Sequence, residues 1–385
     1  MMNKTELHLF CLWKHGIRFS DAVLRKIGET FTVLQVEDIV WSGRRGVRGM
    51  CRFYTNPAWI IFWKYLRCGG VPVRMIVVRD ESPCYAMRNT NSGEQTVNTK
   101  MFDTKILLRK QLRNGHLIHA TNSPFEFAFN YAVLTGAAPD VSKLLEAPSW
   151  DGVVRRRETP CPGARPWRSL EEFFSVLTAL NGTWTVLRNF ENLPDDCRLG
   201  AHSDIDILSD HPQEFIRLAG LRRASWLPFR AVWRTAVGDS YVNIDLRTPD
   251  DGYYPPAMAK MLLRSTTAHR GITVPTSEAY FYSLAYHALV HKYRLAEDYS
   301  QRLLNMAESL GQKTGDDEPA LDFLSRLLRE WMTRMNFEFT EPRDLTVAFN
   351  RSAIKEAIPV SLKRRLKDVV WRWLGLSPRA KTVNK

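Results

Sequence analysis

At 385 residues, with 44% hydrophobic and 25% charged side chains, the chain has a globular composition and is too long for one ordinary domain, so two or three units are expected. Six dispersed cysteines (Cys11, Cys51, Cys68, Cys84, Cys161, Cys197) form no CxxC pair and no disulfide framework, and no apolar run reaches the length of a signal core or a membrane span, so a cytoplasmic location is expected. The net charge of +13 is uneven: residues 351–385 hold ten Lys/Arg against Glu356 and Asp368, a net of +8, which leaves +5 for the rest and argues against a basic nucleic-acid-binding body.

Residues 1–137 alternate short strands and helices. Leu7–Trp13 reads as a buried strand and Ser20–Phe31 as an amphipathic helix with Ser20 as its cap. Thr32–Trp41 is a partly alternating strand, and a further strand, Val71–Asp80, follows the Gly69-Gly70 turn. Asn122–Gly136 reads as a closing helix, with Asn122 or Ser123 at its start and Gly136 near its end. An α/β or α+β sandwich is the expected class.

Residues 138–168 carry five prolines, two glycines and Arg155-Arg156-Arg157, the composition of a linker or a wrapped connection. A new unit, 169–255, opens with a helix in which Ser169 and Glu172 form a capping box. Strands are expected at Thr183–Phe190, Ser203–Asp210 and Ser240–Thr248, with a helix at His211–Arg222. Residues 256–350 read as a helical subdomain, and 351–385 as a basic amphipathic tail.

In a strand, residues two apart share a face. Asp204 and Asp206 therefore project together while Ile205 and Ile207 enter the core, and Asn243, Asp245 and Arg247 share one face of the later strand. If the two strands are neighbours, three carboxylates converge, and such a cluster calls for a cation among them. Hard oxygen donors, without thiolate or histidine at matching spacing, favour Mg2+ or Mn2+ together with bound phosphates.

The stretch VLRNFENLPDDCRLGAHSDIDILSD followed by NIDLR resembles the nucleotidyltransferase-fold superfamily, which includes polymerase-beta-like enzymes and antibiotic nucleotidyltransferases. The resemblance implies a mixed sheet with a helical partner, Asp204 and Asp206 as metal ligands, and Asp245 as third ligand or base. Arg188, Asn189, Ser203 and Lys292 are the expected nucleotide contacts, with Arg188-Asn189 standing where the superfamily has Gly-Ser. The implied substrates are a nucleoside triphosphate or nucleotide-activated donor and a hydroxyl-bearing acceptor. His287 and His291, at i and i+4, read as substrate contacts or packing rather than a zinc pair.

Over residues 1–137 the element order is similar to that of nucleoside diphosphate kinases, which implies a ferredoxin-like sandwich. Leu117-Ile118-His119-Ala120-Thr121-Asn122-Ser123 resembles their phosphohistidine segment, and Arg109, Lys110, Arg113 and Lys14 could charge-stabilise a transferring phosphate. The segment departs from the kinases at His15-Gly16, His116 and Ala120. A nucleotide- or phosphate-binding unit and a histidine phosphotransferase using His119 are therefore both carried forward, as is a non-catalytic scaffold whose two domains have lost their chemistry.

Leu362, Leu366, Val369, Val370, Trp373 and Leu374 form one helical stripe, with Lys363, Arg364, Lys367 and Arg372 largely opposite. Residues 361–376 fit either peripheral contact with the inner face of a membrane or docking on the protein's own core. By analogy, surface-polysaccharide assembly on a lipid-linked glycan is the expected context, with no specific nucleic-acid partner.

Overall fold

The computed structural model describes residues 5–42, 46–54, 58–90, 93–160, 166–195, 204–224, 232–313 and 318–350, together with Ser361 and Arg364. The chain is mixed α/β, as its alternating patterns predict. It divides into two compact units: Met1–Leu180 with Gln213–Leu221 and Ala236–Asp239, and Asn181–Pro212 with Arg222–Thr235 and Ser240–Lys385.

The first unit runs β1 (Glu6–Trp13), a 3-10 segment (Lys14–Phe19), α1 (Ser20–Gly28), β2 (Thr32–Trp41), α2 (Gly46–Tyr54), α3 (Ala58–Cys68) and β3 (Val73–Asp80). A hairpin, β4 (Tyr85–Thr90) and β5 (Gly93–Asn98), leads to α4 (Thr99–Gln111), β6 (Ile118–Ala120), α5 (Pro124–Thr135), α6 (Val141–Glu146), β7 (Arg155–Thr159) and α7 (Leu170–Leu177). The strand order is β6-β1-β3-β2-β7, antiparallel except for the parallel edge pair β2–β7.

Seven of the eight β1 residues are buried because both sheet faces are covered, which is why this strand is apolar almost throughout. On one face Phe10, Leu12, Val36, Ile76 and Val78 pack with Val23 and Ile27 of α1 and Met101 and Leu108 of α4. Toward the other, Trp13 stacks edge-on against Phe53 of α2, and Trp41 Nε1 donates to the Leu134 carbonyl of α5. The α5 ends follow sequence rules. Ser123 accepts from Glu126 N, the Glu126 carboxylate accepts from Asn122 N, and Gly136 closes the helix at φ 75°. Within the segment 138–168, β7 joins the sheet edge, with Arg157 paired to Glu37.

The second unit contains β8 (Trp184–Val186), β9 (Asp204–Ser209), β10 (Arg222–Arg223), most of β11 (Val232–Val237) and β12 (Ser240–Arg247), while α8 (Pro212–Leu218) groups almost wholly with the first unit. Then come α9 (Pro256–Arg264), the hairpin β13 (Thr266–His269) and β14 (Ile272–Pro275), α10 (Ser277–Val290), α11 (Glu297–Ser309) and α12 (Ala320–Arg334). The sheet order is β10-β11-β12-β9-β8, with β9 parallel to β12 and antiparallel to β8. Helix α9 covers β8 and β9, and α11 and α12 pack against α10. Twelve consecutive residues of α10, Ala279–Val290, are buried; a helix apolar all round belongs in an interior. Among the described residues, no helix is long and apolar enough to cross a membrane.

Candidate active site

Strands β9 and β12 are neighbours, and their register sets Asp206 directly opposite Asp245, with Asp204 opposite Asn243. The alternation holds: Ile205, Ile207, Val242 and Ile244 are buried behind the patch, while Asp204 is exposed and Asp206 is 6% exposed. The three carboxylates expected from the sequence thus lie on one patch of the second unit.

Two arginines are built into it. Arg188, immediately beyond β8, donates through Nη2 to Asp206 Oδ1 at 2.5 Å; Arg247 Nη2 donates to Asp245 Oδ2 at 2.6 Å. The backbone fixes Arg188, since Leu187 N donates to the Asp206 carbonyl at 2.8 Å. Burial and the neighbouring Asp245 hold the Asp206 carboxyl up, at about 6, although Arg188 pulls it down. Burial disfavours the Arg188 charge, but Asp206 keeps the guanidinium firmly protonated.

A layer of rings lies beneath. Arg247 sits 4.3 Å from the Tyr253 ring centroid, and the Tyr253 hydroxyl meets His287 Nδ1 at 2.6 Å. Burial, then the positive charge of Arg188, pushes His287 well below its ordinary pKa; burial and Arg247 do the same to His291. Both histidines are buried in this layer as neutral rings. Lys292, exposed at the rim, has its pKa lowered by partial burial and by nearby Arg188. Asn189 adopts φ 56°, and its Oδ1 accepts from Arg302 Nη1 at 3.0 Å; Arg302 also pairs with Glu191 and the Tyr280 hydroxyl. Ser203 lies outside the described residues, as do 196–202 and all of the tail except Ser361 and Arg364.

Among the described residues, no group of three or more His, Cys, Asp or Glu side chains is gathered as a ready metal site. The donor chemistry nevertheless fits a hard divalent cation. Each inner carboxylate gives one oxygen to its arginine, and Asp245 Oδ1 is left buried with no hydrogen-bond partner. The Nη1 of Arg188 is likewise buried and unpartnered, a donor suited to an anionic oxygen.

Sequence reasoning overlooked Arg247 as partner of Asp245, although the i, i+2 spacing in NIDLR places both on one face. It also overlooked Tyr253 and Asp344, which accepts from Arg247 at 3.4 Å; nothing local in the sequence signals either.

In the first unit, His119 lies on β6, opposite Cys11 of β1. Its Nε2 accepts from Asn130 Nδ2 at 3.0 Å, and its ring meets Phe53 and Tyr54 edge-on. Burial, then Lys105, Lys64 and Arg109, pushes its pKa well below the ordinary value. Lys64 and Lys105 are both brought down to about 8, first by burial. Of the cations read from the sequence, Arg109 is half-buried near the ring, whereas Lys14, Lys110 and Arg113 are exposed.

No protein-family model, curated protein or solved structure matches the chain.

Proposed function

We propose that the second unit is a Mg2+-dependent nucleotidyltransferase-type enzyme, which moves a nucleotidyl or phosphoryl-alcohol group from a nucleotide donor to a hydroxyl acceptor. The observation that carries this reading is the parallel register of β9 and β12, which sets Asp206 against Asp245 with Asp204 two residues before. The mixed sheet and the helices after it agree with a nucleotidyltransferase fold.

Asp204 and Asp206 would hold the cation, with Asp245 as third ligand or base; when bound, the cation would neutralise phosphate charge and polarise the scissile phosphoryl group. The unpartnered Nη1 of Arg188 and the rim ammonium of Lys292 bind donor phosphate oxygens. The acceptor oxygen attacks phosphorus in line and forms the new P–O bond. The P–O bond to the leaving phosphate breaks, and the acceptor proton passes to Asp245 where that residue is the base, or to bulk water where it is a cation ligand. A lipid-linked glycan in surface-polysaccharide assembly is the acceptor class favoured by analogy.

A second observation supports a separate reading of the first unit. Lys64, Lys105 and Arg109 lie near His119 with Glu126 as the acid near them, a surplus of buried and half-buried positive charge suited to a phosphate. The order β6-β1-β3-β2, with α1 and α4 on one face, agrees with a ferredoxin-like sandwich. Because the His119 ring is buried and engaged by Asn130, this charge favours phosphate or nucleotide binding over phosphoryl transfer through His119.

Incubating wild type, Asp204→Ala and His119→Ala with Mg2+ and radiolabelled nucleoside triphosphates tests both readings. Label transfer abolished only by Asp204→Ala is expected. An acid-labile phosphoprotein lost only in His119→Ala would replace the first reading with histidine phosphotransfer, and absence of turnover and nucleotide binding in wild type would leave a scaffold.

A further inference from the structure

The 41 residues Ile39–Arg79 contain no Asp or Glu. Within them, Arg44, Arg45, Arg48, Arg52, Lys64 and Arg67 fall inside a 24-residue window that spans α2 and α3. Helix α3 also leaves an unusual surface. Trp59 is 70% exposed, Trp63 63%, Leu66 53%, Phe62 50% and Ile60 38%. Trp59, Ile60, Trp63, Leu66 and Arg67 fall at i, i+1, i+4, i+7 and i+8, one stripe of the helix, while Ile61 and Cys68 are buried on the opposite side. The 3-10 segment Lys14–Phe19 packs against α3 and adds exposed Lys14 and Arg18, and the Arg67 carbonyl lies 3.3 Å from His15 Nδ1.

Five large apolar side chains on one short helix form a patch that solvated proteins rarely leave uncovered. The chemistry of its occupant follows from what surrounds it. A chain segment free of acids, with Arg48 and Arg67 exposed on it and Lys14 and Arg18 exposed on the adjoining 3-10 segment, complements a negative surface. Aliphatic Ile60 and Leu66 gain nothing from phosphates and need hydrocarbon beneath those phosphates. Two tryptophans four residues apart match the boundary between headgroups and acyl chains. We propose that this face of α3 is a docking surface for an anionic lipid bilayer. The helix lies in the interface plane with Trp59, Ile60, Trp63 and Leu66 buried in it, while Arg48, Arg67 and their neighbours contact lipid phosphates. The surface belongs to the first unit, does not depend on the transferase reading, and is a different stretch of sequence from the stripe at 361–376.

The test is co-sedimentation of the full chain with vesicles of phosphatidylcholine alone, or with about 30% phosphatidylglycerol added, the anionic case. Wild type is expected to bind only the anionic vesicles, and to release as salt rises from about 0.1 M to about 1 M. Trp59→Gln combined with Trp63→Gln should weaken binding roughly tenfold or more, and Arg48→Gln combined with Arg67→Gln should reduce it and flatten its salt dependence. Unchanged circular dichroism and melting temperature would establish that these surface variants fold. Trp373→Gln with Leu366→Gln serves as the comparator for the tail.

Wild-type failure to bind anionic vesicles would overturn the proposal. So would binding that survives the α3 variants and is lost in the tail variant, which would assign the contact to the tail. A wild-type dimer that the tryptophan variants dissolve would assign the face to a second copy, and retention on RNA with no retention on vesicles would assign it to nucleic acid; either result overturns the membrane assignment.

Discussion

Replacing Arg188 with Met removes the guanidinium from Asp206 while keeping most of its volume. Both partners are buried, Arg188 at 7% and Asp206 at 6% exposure, so the remaining carboxylate faces Asp245 without its counter-charge. Breaking a buried pair from one side costs about 3–5 kcal/mol. The carboxylate can escape part of that cost by protonating. For a group of ordinary pKa 3.8 kept neutral at pH 7, the ceiling is about 4.4 kcal/mol, at about 1.36 kcal/mol per pH unit.

The sign follows from the raised carboxyl. Asp206 in the wild type titrates at about 6, above its unfolded value, so its contribution to stability is greatest at low pH and declines as pH rises from about 4 through 6. In Arg188→Met the folded carboxyl titrates higher still, so its decline continues above pH 6. The gap between the two proteins should therefore widen by up to about 1.4 kcal/mol per pH unit above 6 and stay constant below it. Urea unfolding of both proteins at pH 5.5, 7 and 8 measures this directly, and Arg188→Met combined with Asp206→Asn should recover most of the loss. A gap of the same size at all three pH values, or a loss under about 0.5 kcal/mol at pH 7, would refute the buried-pair account.

Asp204 is exposed, so Asp204→Asn should leave the unfolding midpoint within about 0.5 kcal/mol of wild type while lowering Mg2+-dependent label transfer at least about a hundredfold; a parallel loss of both would mark Asp204 as structural. Because Asp206 binds a cation only when ionised, Mg2+-dependent activity should fall as pH drops through about 6, read as an acidic limb in the kcat/KM profile. Gly252 holds φ 72°, and an added Cβ would lie 2.5 Å from the Glu341 carbonyl oxygen, so Gly252→Ala should cost about 1–3 kcal/mol in urea unfolding and disturb the adjacent Tyr253. In the first unit, Ile76 on the central strand β3 is fully buried, and Ile76→Ala should cost about 2–5 kcal/mol on the same measure.

The carboxylate patch was legible because strand alternation is local: Asp-Ile-Asp and Asn-Ile-Asp dictate which side chains share a face before any tertiary contact forms. That β9 and β12 pair in parallel was open in the sequence, since register depends on the whole sheet. Tyr253 meets His287 and His291 only because α10 is buried against the turn after β12, and the 34 residues from Tyr253 to His287 carry no pattern. Arg155-Arg156-Arg157 reads as a charged linker, yet it forms β7: an edge strand tolerates charge, Arg157 finds Glu37, and Thr159 Oγ1 donates to the Leu134 carbonyl. Lys64 escaped notice near His119 because α3 is distant in sequence from β6, and Lys105, on the helix just before β6, because only folding shows which turn of α4 faces that ring.

The most direct measurement is electron paramagnetic resonance of Mn2+ titrated into wild type, Asp204→Ala and Asp245→Asn, each with and without a nucleoside triphosphate. If Asp204, Asp206 and Asp245 form a cation-dependent transfer site, wild type binds Mn2+ more tightly when nucleotide is present and both variants lose that bound signal. Equal Mn2+ binding by all three proteins, or a wild type that binds no Mn2+ beyond what free nucleotide takes up, would contradict it.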